Sequence, residues 1–137
     1  MEMMDRIQRI TGAQAALGLS LYSEESTLPD NCSIIGCTDS VQFCRIEGYL
    51  DTVFAVRREG AFAPMPIAYC MQDFICLILS CGCAQAAAEG IVLRSKREKL
   101  EKLARVLKLK PMADPLGYLK TVHQVIDYRR IPMNVAS

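Results

Sequence analysis

The sequence has no apolar run long enough to cross a membrane, no C-x-x-C pair, no glycine-rich phosphate loop, no surplus of either charge and only one histidine. Each absence narrows the function. A spanning helix needs about 18 apolar residues or more, and the longest stretch here, FICLILSCGCA, is shorter and carries a glycine. The N-terminal MEMMDRIQRI is broken by Glu2, Asp5, Arg6 and Arg9, so it lacks the apolar segment of a signal peptide. The expectation is a cytoplasmic protein with reduced thiols. The odd count of seven cysteines agrees, because a secreted disulfide framework is normally even. Sixteen basic and fifteen acidic residues nearly cancel, so there is no global field to draw in nucleic acid or an anionic membrane.

What is present suits one domain. A chain of 137 residues is long enough to bury a core without a staple. Apolar residues make up 51% of it, above the usual share, and part of that excess can be surface for a partner or a second copy. Helical spacing of Met3, Ile7 and Ile10 predicts a helix over 2–17, weakened or ended by Gly12 and Gly18. SEESTLPDN (23–31) reads as a loop. A short strand fits 33–37. VQFCRIEGYLDTVFAVRRE (41–59) reads as a hairpin, with Gly48 in its turn. Pro64 and Pro66 confine the following GAFAPMPIA to an edge strand or an extended connection.

The apolar positions Phe74, Leu77, Ile78 and Cys81 then predict a buried helix over 71–88, interrupted at Gly82. Ser95 and Glu98 form a capping box for a helix over 96–109, with Pro111 as its stop. Asp114 and Pro115 begin a last helix, 115–127. The tail frays after Ile131, leaving 132–137 loose. The expected fold class is therefore α+β: a small antiparallel sheet, centred on the hairpin 41–57, packed against three or four helices.

The cysteines are the first candidates for chemistry, because four of them fall within CMQDFICLILSCGC (70–83). Zinc requires thiolate pairs two to four residues apart on loops, so that both reach one tetrahedral ion. Cys70, Cys76, Cys81 and Cys83 follow the spacing C-x5-C-x4-C-x-C, and the one of these pairs with a gap in that range, Cys76 and Cys81, lies on a predicted helix where the two thiols point about 140° apart. Cys32, Cys37 and Cys44 have equally wide gaps. Free cysteine is most often a small buried hydrophobe, so sulfur is read here as core filling. A cysteine-dependent enzyme, or a metal-binding protein, stays as the alternative: Cys81 or Cys83 would be the nucleophile and His123, the sole histidine, its base. Glu47 and Asp51 flank the hairpin turn, and Asp30 and Asp39 lie in turn-like sequence, where carboxylates belong structurally. RSKREKLEK reads as a solvated helix face. Tyr128, Arg129 and Arg130 follow the last helix and are the candidate partner-binding residues, since tyrosine and arginine are enriched among interface anchors.

Several stretches resemble a known group. RIEG with DTVFAV (45–56), PIAYCMQDFICLILSCG (66–82), PMADPLGYLK (111–120) and DYRRIP (127–132) are similar to a family of uncharacterised bacterial cytosolic proteins of the SUKH superfamily, the group of the yeast cell-wall regulator and bacterial toxin-immunity proteins. The matching stretches cover about half of the chain. The resemblance implies an antiparallel sheet with helices at its side and a non-enzymatic protein-binding role, with toxin immunity as its form. It implies no cofactor and no catalytic motif. The chain departs from the family in a shorter N-terminal region, in having no tryptophan after CG, and in Cys70 and Cys76, where polar or aliphatic residues are expected. The sequence thus leads to a protein-binding module with a protein partner, a toxin by resemblance, and no nucleic acid or membrane partner. A structural homodimer is the remaining alternative.

Overall fold

The computed structural model of the chain describes residues 3–21, 28–94 and 98–126. Its described elements run α1 (Met3–Arg9), α2 (Ala13–Leu17), β1 (Ser20–Leu21), β2 (Cys32–Cys37), β3 (Val41–Ile46), β4 (Val53–Arg57), β5 (Met65–Ala68), α3 (Met71–Cys81), α4 (Ala84–Glu89), α5 (Glu98–Leu107) and α6 (Pro115–Val125). The fold is α+β. The sheet is larger than a hairpin: five strands in the order β1-β2-β3-β4-β5, every neighbouring pair antiparallel.

β3 and β4 are its centre. Val41 faces Arg57 and Phe43 faces Ala55, with Gln42 opposite Val56 and Cys44 opposite Phe54. Side chains alternate between faces along a strand, so these pairs separate into two rows. Val41, Phe43, Val53, Ala55 and Ile67 join the helices in the main core. Cys44, Ile46, Phe54 and Val56 form a second cluster on the opposite face, packed by Leu28, Cys32, Tyr49, Phe62 and Ile126. Because both faces are covered, β4 reads as an almost continuous buried run instead of an alternating one. β5 sits at the sheet edge with Pro66 in it, the position where a missing amide is tolerated.

The helices follow the sequence signals with instructive differences. The expected helix 2–17 is two, broken at Gly12, where φ is +80°. The expected helix 71–88 is also two. α3 is the central element, burying Phe74, Ile75, Leu77, Ile78 and Leu79, and the Phe74 ring lies 4.8 Å from that of Phe43. It ends at Gly82, whose φ is +107° and where a Cβ would come within 3.1 Å of the Leu93 Cβ. Both the conformation and the space at that position call for glycine.

The capping box of Ser95 with Glu98 lies partly outside the described residues, as do residues 127–137 with Tyr128, Arg129, Arg130 and the tail. α5 stops at Leu107, well before Pro111. The cause is a Schellman turn: Lys108 adopts φ +58°, its amide donates to the Arg105 carbonyl at 3.2 Å, and the Leu109 amide donates to that of Ala104 at 3.0 Å. Arg6 Nη2 donates to the Leu107 carbonyl, 3.2 Å away, and so ties α1 to this end. α6 begins as its sequence predicts, with an Asp114 carboxylate oxygen accepting from the Gly117 amide at 3.1 Å and Pro115 in the first turn.

Candidate functional site

A groove lies between α4, α6 and the helix-facing row of the sheet. It consists of two adjoining cavities of about 530 Å3 and about 460 Å3, and Met65, Ala88 and Glu89 line both. The space exists because the residues there are small. Ala55 lies on the floor beside Val41, while Ala61, Ala63 and Ala88 line the walls. A short α4, ended by a second Schellman turn at Gly90, leaves the floor uncovered toward β5.

The polar rim is built and not incidental. Thr38 and Ser40, in the β2–β3 turn, both donate hydroxyl hydrogen bonds to Gln85 Oε1, at 2.6 and 2.9 Å. Gln85 Nε2 in turn donates to Glu89 Oε1 at 2.9 Å. This chain fixes the outer face of α4 and points a carboxylate along the groove. Arg57 and Glu59 continue the rim at one end, and Leu116, Leu119, Lys120, His123 and Gln124 form the other.

α6 is held at its place by a latch the sequence did not announce. The Tyr118 hydroxyl donates to Asp73 Oδ2 at 2.8 Å and accepts from the Tyr69 amide at 2.9 Å. The two tyrosine rings meet edge to face, 5.6 Å apart. Burial holds the Tyr118 hydroxyl protonated far above the ordinary tyrosine range; the Asp73 carboxylate adds to that, and the Tyr69 amide opposes it. The latch joins the residue after β5, α3 and α6 through pairs 45 or more apart in sequence.

Among the thiols, Cys37, Cys44 and Cys81 are buried, as core filling requires, while Cys32, Cys70, Cys76 and Cys83 are half-buried. Two of the latter have a structural task not foreseen in the sequence. Cys70 caps α3, its Sγ accepting from the Asp73 amide at 3.5 Å, and Cys83 caps α4, its Sγ accepting from the Ala86 amide at 3.4 Å. Burial raises the Cys44 thiol well above the usual range, aided by neighbouring Cys32. It also raises Cys32, against a lowering contact with Cys44. Cys76 is raised by burial first and then by Asp73 and Cys70, against backbone amides that lower it. A thiol held protonated is a poor nucleophile.

The residues of the cysteine-enzyme alternative are placed apart. His123 lines the lower cavity of the groove, whose walls contain neither Cys81 nor Cys83. Cys81 is fully buried, and Cys83 serves at the start of α4, against Gly18. Ser80 is also engaged in structure, its hydroxyl donating to the Met112 carbonyl. Among the described residues no three of His, Cys, Asp and Glu come together as metal ligands, and no helix is long and apolar enough to cross a membrane. Apart from His123, the groove residues carry no chemical motif, so nothing in the sequence singled them out. No family model, no curated protein and no solved structure matches this chain.

Proposed function

We propose that the chain is a non-enzymatic protein-binding module that takes its partner in the groove beside α4. The observation that carries this reading is the make-up of the groove: an alanine-lined floor, exposed Met65 and Leu116 on its lips and a fixed polar rim of Ser40, Gln85 and Glu89. Protein interfaces have this anatomy, with an apolar centre that receives an anchor side chain and polar groups around it. The partner is a protein, and the resemblance to the SUKH superfamily supports a toxin in that place. The test is affinity capture from the native host with the wild-type chain and with Met65→Glu and Ala88→Arg, both checked for unchanged melting. The expected result is a stoichiometric partner that both substitutions release. Retention of the same partner by both variants would move the contact elsewhere and end this reading.

A further inference from the structure

The total charge hides a strong asymmetry. Between Arg94 and Lys110 the sequence has eight basic and two acidic residues, which leaves eight basic and thirteen acidic for the rest of the chain. Half of the basic residues therefore lie in one short stretch, and the rest of the sequence is net acidic. On α5 the buried residues Leu100, Leu103, Ala104 and Leu107 face the core, and Lys99, Lys102 and Arg105 are exposed with Lys108 and Lys110 beyond the helix end.

The same region carries exposed apolar side chains. Ile91, Val92 and Leu93 are 47%, 40% and 38% exposed, and Val106, on α5 itself, is 58% exposed. These are half of the large exposed hydrophobic residues among those described. Their backbone is anchored: the Ile91 amide donates to the Ala86 carbonyl at 2.9 Å and that of Leu93 to the Cys81 carbonyl at 2.8 Å. Four Cα steps keep the start of α5 within about 15 Å of Arg94, so the apolar segment lies near the N-terminal end of the basic helix.

We infer that Ile91–Arg94, together with the exposed row of Lys99, Lys102 and Arg105 on α5, docks on an anionic lipid surface. Cationic side chains attract acidic headgroups, each strengthening binding roughly fivefold near the surface. Exposed aliphatic residues beside them enter the boundary between headgroups and acyl chains, and stable anchoring takes two such signals. Nucleic acid would use the basic row but leave Ile91–Leu93 in water, and the stretch has no aromatic residue on which a base could stack. The rest of the chain is net acidic in sequence, so the attraction comes from this stretch alone.

The experiment is co-sedimentation of the full chain with extruded vesicles of phosphatidylcholine, with and without 30 mol% phosphatidylglycerol (about one lipid in three), at about 0.1 M salt. A 24-base-pair duplex serves in a parallel binding assay. The expected result is binding to the anionic vesicles and not to the neutral ones. Lys102→Gln with Arg105→Gln lowers it about 25-fold, and Val92→Asp lowers it at least fivefold. All these positions are exposed, and unchanged melting of each variant confirms that the fold is kept. Absence of binding to anionic vesicles overturns the inference, as does equal binding to neutral ones. Duplex binding that the glutamine pair abolishes and Val92→Asp leaves intact, with no lipid binding, assigns the face to nucleic acid instead.

Discussion

On one face of the sheet, Phe43, Val53 and Ile67 lie beneath helices; on the other, Cys44, Ile46, Phe54 and Val56 lie beneath Leu28, Tyr49, Phe62 and Ile126, side chains drawn from turns, loops and a helix end. Both clusters are buried, but they are held differently. A helix satisfies its own backbone hydrogen bonds and can cover a large apolar area as a rigid unit. Irregular segments cover a smaller area and open more readily, because fewer contacts fix them. α6 belongs to both sides. It packs along β5, and Ile126 at its end reaches the second cluster. The groove lies on the helix side, the more firmly built one.

The sharpest test of this difference is to remove one phenylalanine from each side. Phe74→Ala empties the centre of the helix-covered core and should cost about 4–5 kcal/mol in chemical denaturation. Phe54→Ala should cost about 3 kcal/mol, because loops collapse into the space more easily than helices. Equal losses would erase the distinction. Pulsed alkylation offers a kinetic version. Cys44 and Cys81 are both fully buried, one in each cluster, and Cys44 should be labelled at least about tenfold faster under native conditions, since local opening exposes the looser side first. Labelling of both only with global unfolding would show a single cooperative unit.

Removal of the latch comes next in size. Tyr118→Phe keeps the ring but deprives both Asp73 and the Tyr69 amide of a partner, which should cost about 1–2 kcal/mol. Because Ile126 at the end of α6 helps cover the second cluster, the same substitution should speed Cys44 labelling more than that of Cys81. The alkaline limb of stability tests the buried hydroxyl and thiols together. Tyr118, Cys44, Cys32 and Cys76 all hold their protons more tightly when folded. The unfolded chain, which releases them at ordinary values, then binds fewer protons above about pH 9. Stability is accordingly full below that pH and falls as pH rises through the folded-state values. Cys44→Ala should flatten that fall; an unchanged slope would mean that the thiol does not contribute to it.

Local signals in the sequence located the elements. Asp114-Pro115 gave the start of α6, the β-branched and aromatic residues of TVFAVR marked β4, and Pro66 put β5 at the edge. What escaped depends on contacts between distant segments or on backbone geometry without a residue signature. Burial of both sheet faces leaves no alternation to read in β4. The end of α5 is a Schellman turn made by lysine, not by glycine. Sulfur as filler describes Cys37, Cys44 and Cys81, but Cys70 and Cys83 act as helix caps, a role in which serine, threonine, aspartate and asparagine are the usual signals. The groove is formed by alanines from three separate segments, and alanine carries no mark of function.

The smallest expected effect concerns the turn that closes the loop-covered side. Tyr49 packs edge to face on Phe54, with ring centroids 5.3 Å apart, and the next residue, Leu50, has φ +52° and is 92% exposed. A left-handed conformation costs a residue with a Cβ about 1–2 kcal/mol, and Leu50 recovers none of this by burial. Glycine at that position gives up some unfolded-state entropy but removes the strain. Leu50→Gly should therefore stabilise the fold by about 0.5–1 kcal/mol, raising Tm by a few degrees, and should slow Cys44 labelling by a similar factor. A lower Tm would mean that the leucine side chain helps to cover Phe54 after all, and the loop-covered face would then be more extensive than its buried residues indicate.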